Sequence, residues 1–347
     1  MNSNERVKAC LNRKTMDRLP IKHHAVIEID RMLMEHFGVT DSESLLKVLN
    51  DDFRDIKANY CGPDFGDIAC EHGVISGRVW REGLCQGLNA KRYPLAFLEE
   101  ASELDERPKA DNSWFDYSTI YDQGVKQKDY ARIFGYCEFD FMNNIAILRG
   151  DEQALIDLGT RDPLYFKLIE HKFEFVYEHI RRGLEAGKGE IDIVHFGEDL
   201  GSQRDTFISV DTYKEIFQRF YRETFDLVHK YGAKTAMHCC GSARRLIPTL
   251  VETGLDILDV VQTRAAGMEI RSLHDDFGKD IAFMGSICVQ ELLPYGTPEA
   301  VRREVELRKE LFRDGGLILG PSHLIQRDGK LENILAMYEE AAKPLSI

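Results

Sequence analysis

Histidine and cysteine residues stand directly after apolar runs at several points of this sequence. His238 and Cys240 are two residues apart, so in an extended strand both side chains point to the same face. One imidazole and one thiolate side by side make half of a zinc site, and His323, after a later apolar run, offers a third ligand. Three protein ligands with an open fourth position are typical of a catalytic zinc. Spacing alone also allows His323 to be a hydrogen-bonded histidine without a metal.

Other polar residues also follow apolar runs. Glu198 and Asp199 come after the run 191–196, and because adjacent side chains diverge, we do not expect them to work as a pair of carboxylates. Each either faces the site, where a nearby cation keeps it ionised, or caps the following turn. His23 and His24 end the first apolar run, and Gln262 ends another. These residues form one site only if the ends of the runs meet.

Eight short β-leaning runs divide the chain, and each leaves room for a helix before the next. The runs are Leu19–Ala25, Asp52–Ala58, Tyr130–Tyr136, Ile191–Phe196, Lys234–His238, Ile257–Gln262, Ile281–Gly285 and Gly316–Gly320. No G-x-G-x-x-G follows any of them, which disfavours a doubly wound sheet. The segment Gly183–Gly189 is one residue short of a phosphate loop and predicts a helix that ends in a glycine turn. The pattern therefore predicts an α/β fold, a (β/α)8 TIM barrel with its chemistry at the carboxyl ends of the strands.

Composition excludes several classes of partner. The chain has 347 residues, with 45 Lys and Arg against 59 Asp and Glu, a formal net charge of −14. Binding to nucleic acid or to an anionic membrane needs a basic surface, so neither is expected. The first residues lack the apolar run of a secretory signal, and no stretch is long and apolar enough to span a membrane, so we expect a cytoplasmic protein. Eight cysteines without C-x-x-C pairs predict reduced thiols.

No linker or low-complexity tract separates two halves of the chain. We therefore expect one barrel domain over residues 1–347, with residues 61–117 as a loop or hairpin insertion near the barrel mouth. The spacing of Cys61, Cys70, His72 and Cys85 in this segment matches no zinc motif, which favours loop and core roles for them.

Several motifs, taken in order, resemble the uroporphyrinogen decarboxylase superfamily, and most closely its cobamide-dependent methyltransferase branch. They are Asn12–Pro20, His238-Cys-Cys-Gly-Ser, Gly254-Leu-Asp-Ile-Leu-Asp-Val-Val-Gln262, Gly320-Pro-Ser-His323 and Glu332–Met337. The resemblance extends over nearly the whole chain and implies a (β/α)8 barrel, in agreement with the eight runs. The decarboxylases carry an R-Q-A-G-R segment after the first strand, which binds the carboxylates of the porphyrinogen. This chain has Lys22, His23 and His24 there, a poor substitute for several cations, so decarboxylation is disfavoured.

The resemblance also implies a ligand set. Zinc methyltransferases of this family that act on thiols use His-x-Cys plus a later cysteine, and His323 stands at the place of that cysteine. Zn²⁺ is therefore expected on His238, Cys240 and His323. One thiolate and two imidazoles leave the ion at +1, a stronger Lewis acid than a two-thiolate site and suited to an oxygen- or amine-bearing methyl donor.

The expected function follows from these implications. It is the transfer of a methyl group from an aryl methyl ether or methylamine to the cobalt of a corrinoid, as in an O-demethylase system. Glu198 or Asp199 is the expected catalytic group, either completing the coordination or orienting a ligand, while His23, His24 and Gln262 are expected to contact the substrate.

The corrinoid (cobalamin) is expected from a partner. The chain lacks D-x-H-x-x-G, the signature of a cobalamin-binding domain, so a separate corrinoid protein should dock over the barrel mouth. Three alternatives stay open: a methylcobamide:thiol methyltransferase, a lyase like uroporphyrinogen decarboxylase, and a barrel that has lost its catalysis.

Overall fold

The backbone of the fold is a curled sheet of seven parallel strands. The computed structural model describes residues 1–62, 93, 95–107, 109–135 and 139–345. The strands are β1 Phe53–Ile56, β2 Asn59–Tyr60, β3 Phe115–Asp116, β4 Ala131–Gly135, β5 Ile193–Gly197, β6 Lys234–His238, β7 Ile257–Asp259, β8 Ala282–Ile287 and β9 Leu317–Pro321. The large sheet runs β1-β4-β5-β6-β7-β8-β9, and β2 pairs with β3 in a separate antiparallel ribbon. This order is the sequential winding of a (β/α)8 barrel, which confirms the predicted fold class.

The segment 19–25 takes the place of the eighth strand and closes the barrel. We call this segment the eighth stave. Ile21 forms a parallel bridge with Leu319 of β9. On its other side, the Asp52 amide at the start of β1 donates to the Ile21 carbonyl at 2.9 Å. A strand was predicted over Leu19–Ala25, but the pairing here is limited to isolated bridges at Ile21 and Ala25. The amides of Ile21 and His23 donate to side-chain carboxylates instead of to a neighbouring strand, so no continuous ladder forms.

The Asp52 carboxylate joins the two edges at this closure. It is fully buried and accepts the Ile21 amide at 2.7 Å. Arg6 and Arg18 also donate to it, at 2.6 and 2.7 Å. Two guanidinium groups on one carboxylate compensate the loss of hydration that burial imposes. The charge cluster therefore ties the first helix, the eighth stave and β1 to one another.

Helices cover the outside of the sheet. They are α1 Ser3–Leu11, α2 Ile27–Phe37, α3 Ser42–Val48, α4 Ile120–Lys126, α5 Met142–Arg149, α6 Asp151–Thr160, α7 Pro163–Gly187, α8 Val210–Thr212, α9 Gln218–Lys230, α10 Ile247–Thr253, α11 Ile270–Phe277, α12 Leu292–Tyr295, α13 Pro298–Leu311 and α14 Leu331–Ala342. Short 3₁₀ turns span Ala101–Glu106 and Asn112–Trp114, and a π turn over Tyr213–Phe217 joins α8 to α9. None of the described helices combines the length and apolar character needed to cross a membrane.

The helix α7 ends where the sequence predicts a helix end. Asp162 accepts the Leu164 amide at the start of α7, which begins with proline. The same helix ends at Gly187, and Lys188 follows in the left-handed conformation with φ of 49°. This turn confirms that Gly183–Gly189 is a helix end and not a phosphate loop.

The inside of the barrel changes from apolar to polar along its strands. Its lower part is an apolar cluster of inward-facing residues: Val7, Phe53, Ala131, Ile133, Ile193, Ala236, Ile257, Ala282, Met284 and Ile318. Two residues further along three of these strands, the inward positions are polar: His195 on β5, His238 on β6 and Asp259 on β7. Because side chains alternate along a strand, these polar groups face the axis near its carboxyl end. The strand pattern thus positions the site.

The buried charge cluster yields a stability prediction. We expect Asp52→Asn to lower the free energy of unfolding by about 3–5 kcal/mol, because the buried Arg18 loses its counter-charge and Arg6 retains the partly exposed Asp17 in place of two carboxylates. Urea unfolding of the variant and the wild type measures the difference. Asp17→Asn is the matched control, since Asp17 also binds Arg6 but is 44% exposed and should cost about 1 kcal/mol or less. Equal losses for the two variants would contradict this account.

Candidate metal centre

Three side chains that can bind a metal meet at the barrel mouth. The ligand atoms of His238, Cys240 and His323 all lie within 4.8 Å of one another. The His238 Nε2 atom is 3.2 Å from the Cys240 Sγ atom. The imidazole rings of His238 and His323 are edge to face, with centroids 5.4 Å apart. The structure therefore brings together the three residues that the spacing and the resemblance selected.

The elements that carry these residues explain their approach. His238 is the last residue of β6, and Cys240 follows two positions later on the same face. Between them, the buried Cys239 turns the other way, and its sulfur accepts the Leu200 amide at 3.4 Å. Gly241 then adopts φ of 76°, a conformation that favours glycine, and places its amide on the Gln262 Oε1 atom at 2.7 Å. His323 arrives from the segment directly after β9.

The donor set fits a zinc ion. In a tetrahedral site with ordinary Zn–N and Zn–S bonds, ligand atoms are about 3.3–3.8 Å apart. The distance between His238 Nε2 and Cys240 Sγ is 3.2 Å, so these two donors already stand close to that spacing. Two imidazoles and one thiolate are nitrogen and sulfur ligands that zinc prefers, and they leave a fourth position for water or substrate.

Asp259 supports the candidate ligands from inside the barrel. Its Oδ2 atom is 2.9 Å from His195 Nε2 and 3.6 Å from His238 Nδ1. Burial would raise the pKa of Asp259, but the hydrogen bonds and charges of the two histidines outweigh burial and hold that pKa well below its usual range. An ionised carboxylate behind a histidine fixes the ring orientation and the nitrogen that faces a metal.

Burial also keeps other groups at the mouth in their neutral form. It lowers the pKa of His323, and the positive charge of His238 adds to this effect. Burial also lowers the pKa of His24. Burial raises the pKa of the Cys240 thiol, which the hydrogen bond with His238 opposes. Neutral imidazoles are the forms that coordinate metals, whereas the thiol must lose its proton on binding.

Glu198 and Asp199 point to different surroundings, as their adjacency predicts. Asp199 Oδ1 accepts the Cys240 amide at 2.8 Å and is 3.6 Å from His238 Nε2, so this carboxylate borders the cluster. Glu198 is fully buried and faces the start of α5. It accepts the Phe141 and Met142 amides, both at 2.9 Å, and the Tyr221 hydroxyl at 2.6 Å.

The Glu198 carboxylate is part of a buried acidic pair. Burial raises its pKa against the hydrogen bonds that it accepts. Burial and the charge of Glu198 raise the pKa of Asp140, which accepts the Asn144 amide in the first turn of α5. Both carboxylates therefore anchor the amino end of α5, and Glu198 lies outside the group of ligands.

The three residues predicted to contact the substrate, His23, His24 and Gln262, have different surroundings. His24 faces the cluster, since its ring centroid is 6.4 Å from that of His323. His23 points the other way, with Nε2 at 2.9 Å from Asp30 and Nδ1 at 2.5 Å from the Tyr338 hydroxyl. Gln262 is buried and accepts the Gly241 amide, directly after the candidate ligand Cys240. Of the three, the structure places His24 and Gln262 beside the site.

Sequence reasoning missed Asp259, His195 and Lys22. All three line a small cavity of about 20 Å³ on the barrel axis, together with His24. Asp259 could have been predicted from its place in the apolar run Ile-Leu-Asp-Val-Val, where a carboxylate stands at an inward-facing position. His195 has the same signature in Ile-Val-His-Phe.

The predicted insertion lies mostly outside the described residues, as do Cys70, His72 and Cys85. β2, directly before this segment, pairs antiparallel with β3, which lies at its end. Cys61 is exposed and free. The insertion at the barrel mouth stays a prediction.

Comparison with known proteins gives related chains of the same fold. A family model described as uroporphyrinogen decarboxylase (URO-D) matches residues 146–344. A methylated-thiol–coenzyme M methyltransferase of Methanosarcina mazei is 28% identical over 146 residues, which are 42% of this chain and 36% of the relative. The match thus spans little more than a third of that curated relative. A solved methyltransferase structure from Methanosarcina mazei covers 98% of both chains with a TM-score of 0.66 and 14% identity, which shows a common fold.

The family match bears on the resemblance seen in the motifs. It includes the His-x-Cys pair, the β7 motif and the final His323 segment, and it spans more than half of the chain. The predicted family is confirmed, and with it the predicted barrel. The protein belongs to the uroporphyrinogen decarboxylase (URO-D) family.

Proposed function

We propose that this protein is a zinc-dependent methyltransferase. It moves a methyl group from a methylated small molecule, an aryl methyl ether or a methylamine, to the cobalt of a corrinoid carried by a separate protein. The observation that carries this proposal is the meeting of His238, Cys240 and His323 at the mouth of a URO-D barrel. The methyltransferase name of the curated relative supports the same reaction class.

The proposal assigns a task to each residue around the centre. His238, Cys240 and His323 would hold Zn²⁺, which as a Lewis acid would polarise the heteroatom that bears the methyl group. Asp259 orients the His238 ring, from a distance of 3.6 Å. Asp199 fixes the backbone at Cys240 through its amide, and its 41% exposed carboxylate borders the space where a substrate enters.

The ligand set favours methyl donors with oxygen or nitrogen. One thiolate and two imidazoles leave a divalent ion with a charge of +1, whereas a second thiolate would neutralise it. The more positive ion would attract electrons more strongly from an ether oxygen or an amine and would activate a bound thiolate less. His323 in place of a cysteine therefore supports demethylation of the donor as the direction of transfer.

A thiol methyltransferase is the second candidate. The curated relative is named for the transfer of a methyl group between thiols, which favours a sulfur substrate. Decarboxylation of a porphyrinogen has less support, because Lys22 is the cation that the eighth stave offers near the cavity, and a substrate with many carboxylates needs several cations.

Metal analysis tests the ligand set. Purified protein should hold one zinc per chain, and His323→Ala or Cys240→Ser should weaken zinc affinity well beyond 100-fold. Asp259→Asn should cost less, about 10–100-fold, because it removes only an outer partner of a ligand. Competition with a chelator measures all three affinities. Cys239→Ser is the control and should keep its zinc, since that thiol faces Leu200. Full zinc content in His323→Ala would exclude it as a ligand.

An assay of methyl transfer tests the reaction and its direction. With cob(I)alamin and a series of methyl donors, we expect loss of the methyl group from an aryl ether or an amine. The change in the absorbance of the corrinoid measures this transfer. Methylation of a thiol by methylcobalamin would support the second candidate instead. Formation of coproporphyrinogen from uroporphyrinogen would contradict both.

Substitutions of Glu198 and Asp199 distinguish the roles of these two adjacent carboxylates. Glu198→Gln should lower the free energy of unfolding by about 1–3 kcal/mol, because the amide replaces an acceptor of several buried donors. Asp199→Asn should leave stability within about 1 kcal/mol and reduce methyl transfer, because its carboxylate is partly exposed beside the ligands. Thermal unfolding and the assay above measure the two effects. The reverse pattern would place the functional carboxylate at Glu198.

A further inference from the structure

A buried ammonium group lies in the barrel beside the candidate metal centre. Lys22 and His24 are two residues apart on the eighth stave, so both face the barrel axis while His23 faces the helices. The Lys22 side chain is only 19% exposed. It lines the axial cavity together with His24, His195 and Asp259. A lysine with most of its side chain removed from water requires a reason beyond solubility.

The cavity adjoins two of the three candidate ligands. Asp259, in its wall, has Oδ2 at 3.6 Å from His238 Nδ1. His24, also in its wall, has its ring centroid 6.4 Å from that of His323. The volume of about 20 Å³ holds one water molecule, so a single heteroatom or its proton fits and an aromatic ring does not.

The carboxylates around Lys22 favour its positive charge, but none of those described forms a short ion pair with it. The Asp55 Oδ1 atom is 4.0 Å from the Lys22 Nζ atom, and the Asp55 side chain is 66% exposed. Asp259 is already engaged by His195 and faces His238. Burial would lower the pKa of Lys22, but the charges of Asp55, Asp51 and Asp259 outweigh burial and raise it. The ammonium is therefore available to an anion in the cavity.

We propose that the Lys22 ammonium pairs with the negative charge that forms on the leaving heteroatom, and so selects methyl donors whose leaving group departs as an anion. This inference rests on the proposed function and narrows it. Methyl ethers and methyl thioethers release an oxyanion or a thiolate. A quaternary ammonium donor carries a positive charge that Lys22 repels, and its leaving amine departs neutral, so it gains nothing from this residue.

The step balances without a further reagent. The bond between the methyl carbon and the heteroatom breaks, and its electron pair stays on the heteroatom as the new negative charge. The methyl carbon takes an electron pair from the reduced corrinoid that the partner supplies. The released anion pairs with Lys22 and takes up a proton from water when it leaves the barrel.

A leaving-group series tests the inference in the holoprotein. Wild type, Lys22→Met and Lys22→Arg are assayed with para-substituted methyl phenyl ethers and cob(I)alamin. Loss of an electrostatic partner of a developing oxyanion typically costs about 10²–10³-fold in rate. We expect a loss of this size for Lys22→Met with the least acidic phenols and a smaller loss with acidic ones, hence a steeper dependence of rate on phenol acidity. Lys22→Arg should restore the wild-type slope.

A binding measurement gives a readout that does not depend on turnover. 4-Nitrophenolate, titrated by its absorbance into zinc-loaded protein, should bind at least tenfold more weakly to Lys22→Met than to wild type. Neutral 4-nitroanisole should bind both equally. Zinc content is measured in each sample, and Lys22→Gln replaces Lys22→Met should the latter fail to fold.

The outcomes separate this inference from the proposed function. Methyl transfer by the wild type with an unchanged slope and unchanged phenolate affinity in Lys22→Met would overturn the role of Lys22 alone. Faster demethylation of a trimethylanilinium donor than of any ether would also overturn it. A wild type that transfers no methyl group from any donor to cob(I)alamin would contradict the proposed function and this inference together.

Discussion

Closure of the barrel is the constraint on which the candidate site depends. His238 ends β6 and His323 follows β9, three strands away in the sheet. In a flat sheet, three steps between neighbouring strands amount to about 14 Å. In this protein the two imidazole centroids are 5.4 Å apart, because the sheet curls until β9 meets the eighth stave at Ile21. The buried Asp52 carboxylate, with Arg6 and Arg18, holds the other side of that stave to β1. Charges at the closed edge therefore support ligands that lie elsewhere on the rim.

The same strands carry an apolar layer and, towards their carboxyl ends, a layer of polar side chains. Ile193, Ala236 and Ile257 pack in the apolar layer, and two residues later His195, His238 and Asp259 face the same axis. The apolar layer excludes water from below, so charges above it interact in a medium of low polarity. This explains why one carboxylate, Asp259, can serve two histidines, and why the imidazoles of His24 and His323 stay neutral. The candidate metal centre and the Lys22 ammonium therefore lie in one small polar space.

Much of this architecture could be predicted from local patterns. The apolar runs placed the strands, and the glycine turn at Gly183–Gly189 placed the end of a long helix. The eighth stave was predicted as a strand, but carboxylates of other segments capture its amides, and a periodicity argument does not contain such contacts. The divergence of Glu198 and Asp199 followed from their adjacency. Their adjacency did not show which of the two borders the candidate ligands. That depends on the amino end of α5, where backbone amides donate to Glu198.

The sequence by itself determined the barrel, the family resemblance and the His-x-Cys pair, because each depends on residues close together in the chain or on motifs in a fixed order. The tertiary structure alone decided that His23 turns away while His24 turns inward, and that Asp259 and Lys22 line the cavity beside the three candidate ligands. The physical reason is that these groups interact through space, across strands tens to hundreds of residues apart. Their distances are set by the curvature and closure of the sheet, which no local spacing encodes.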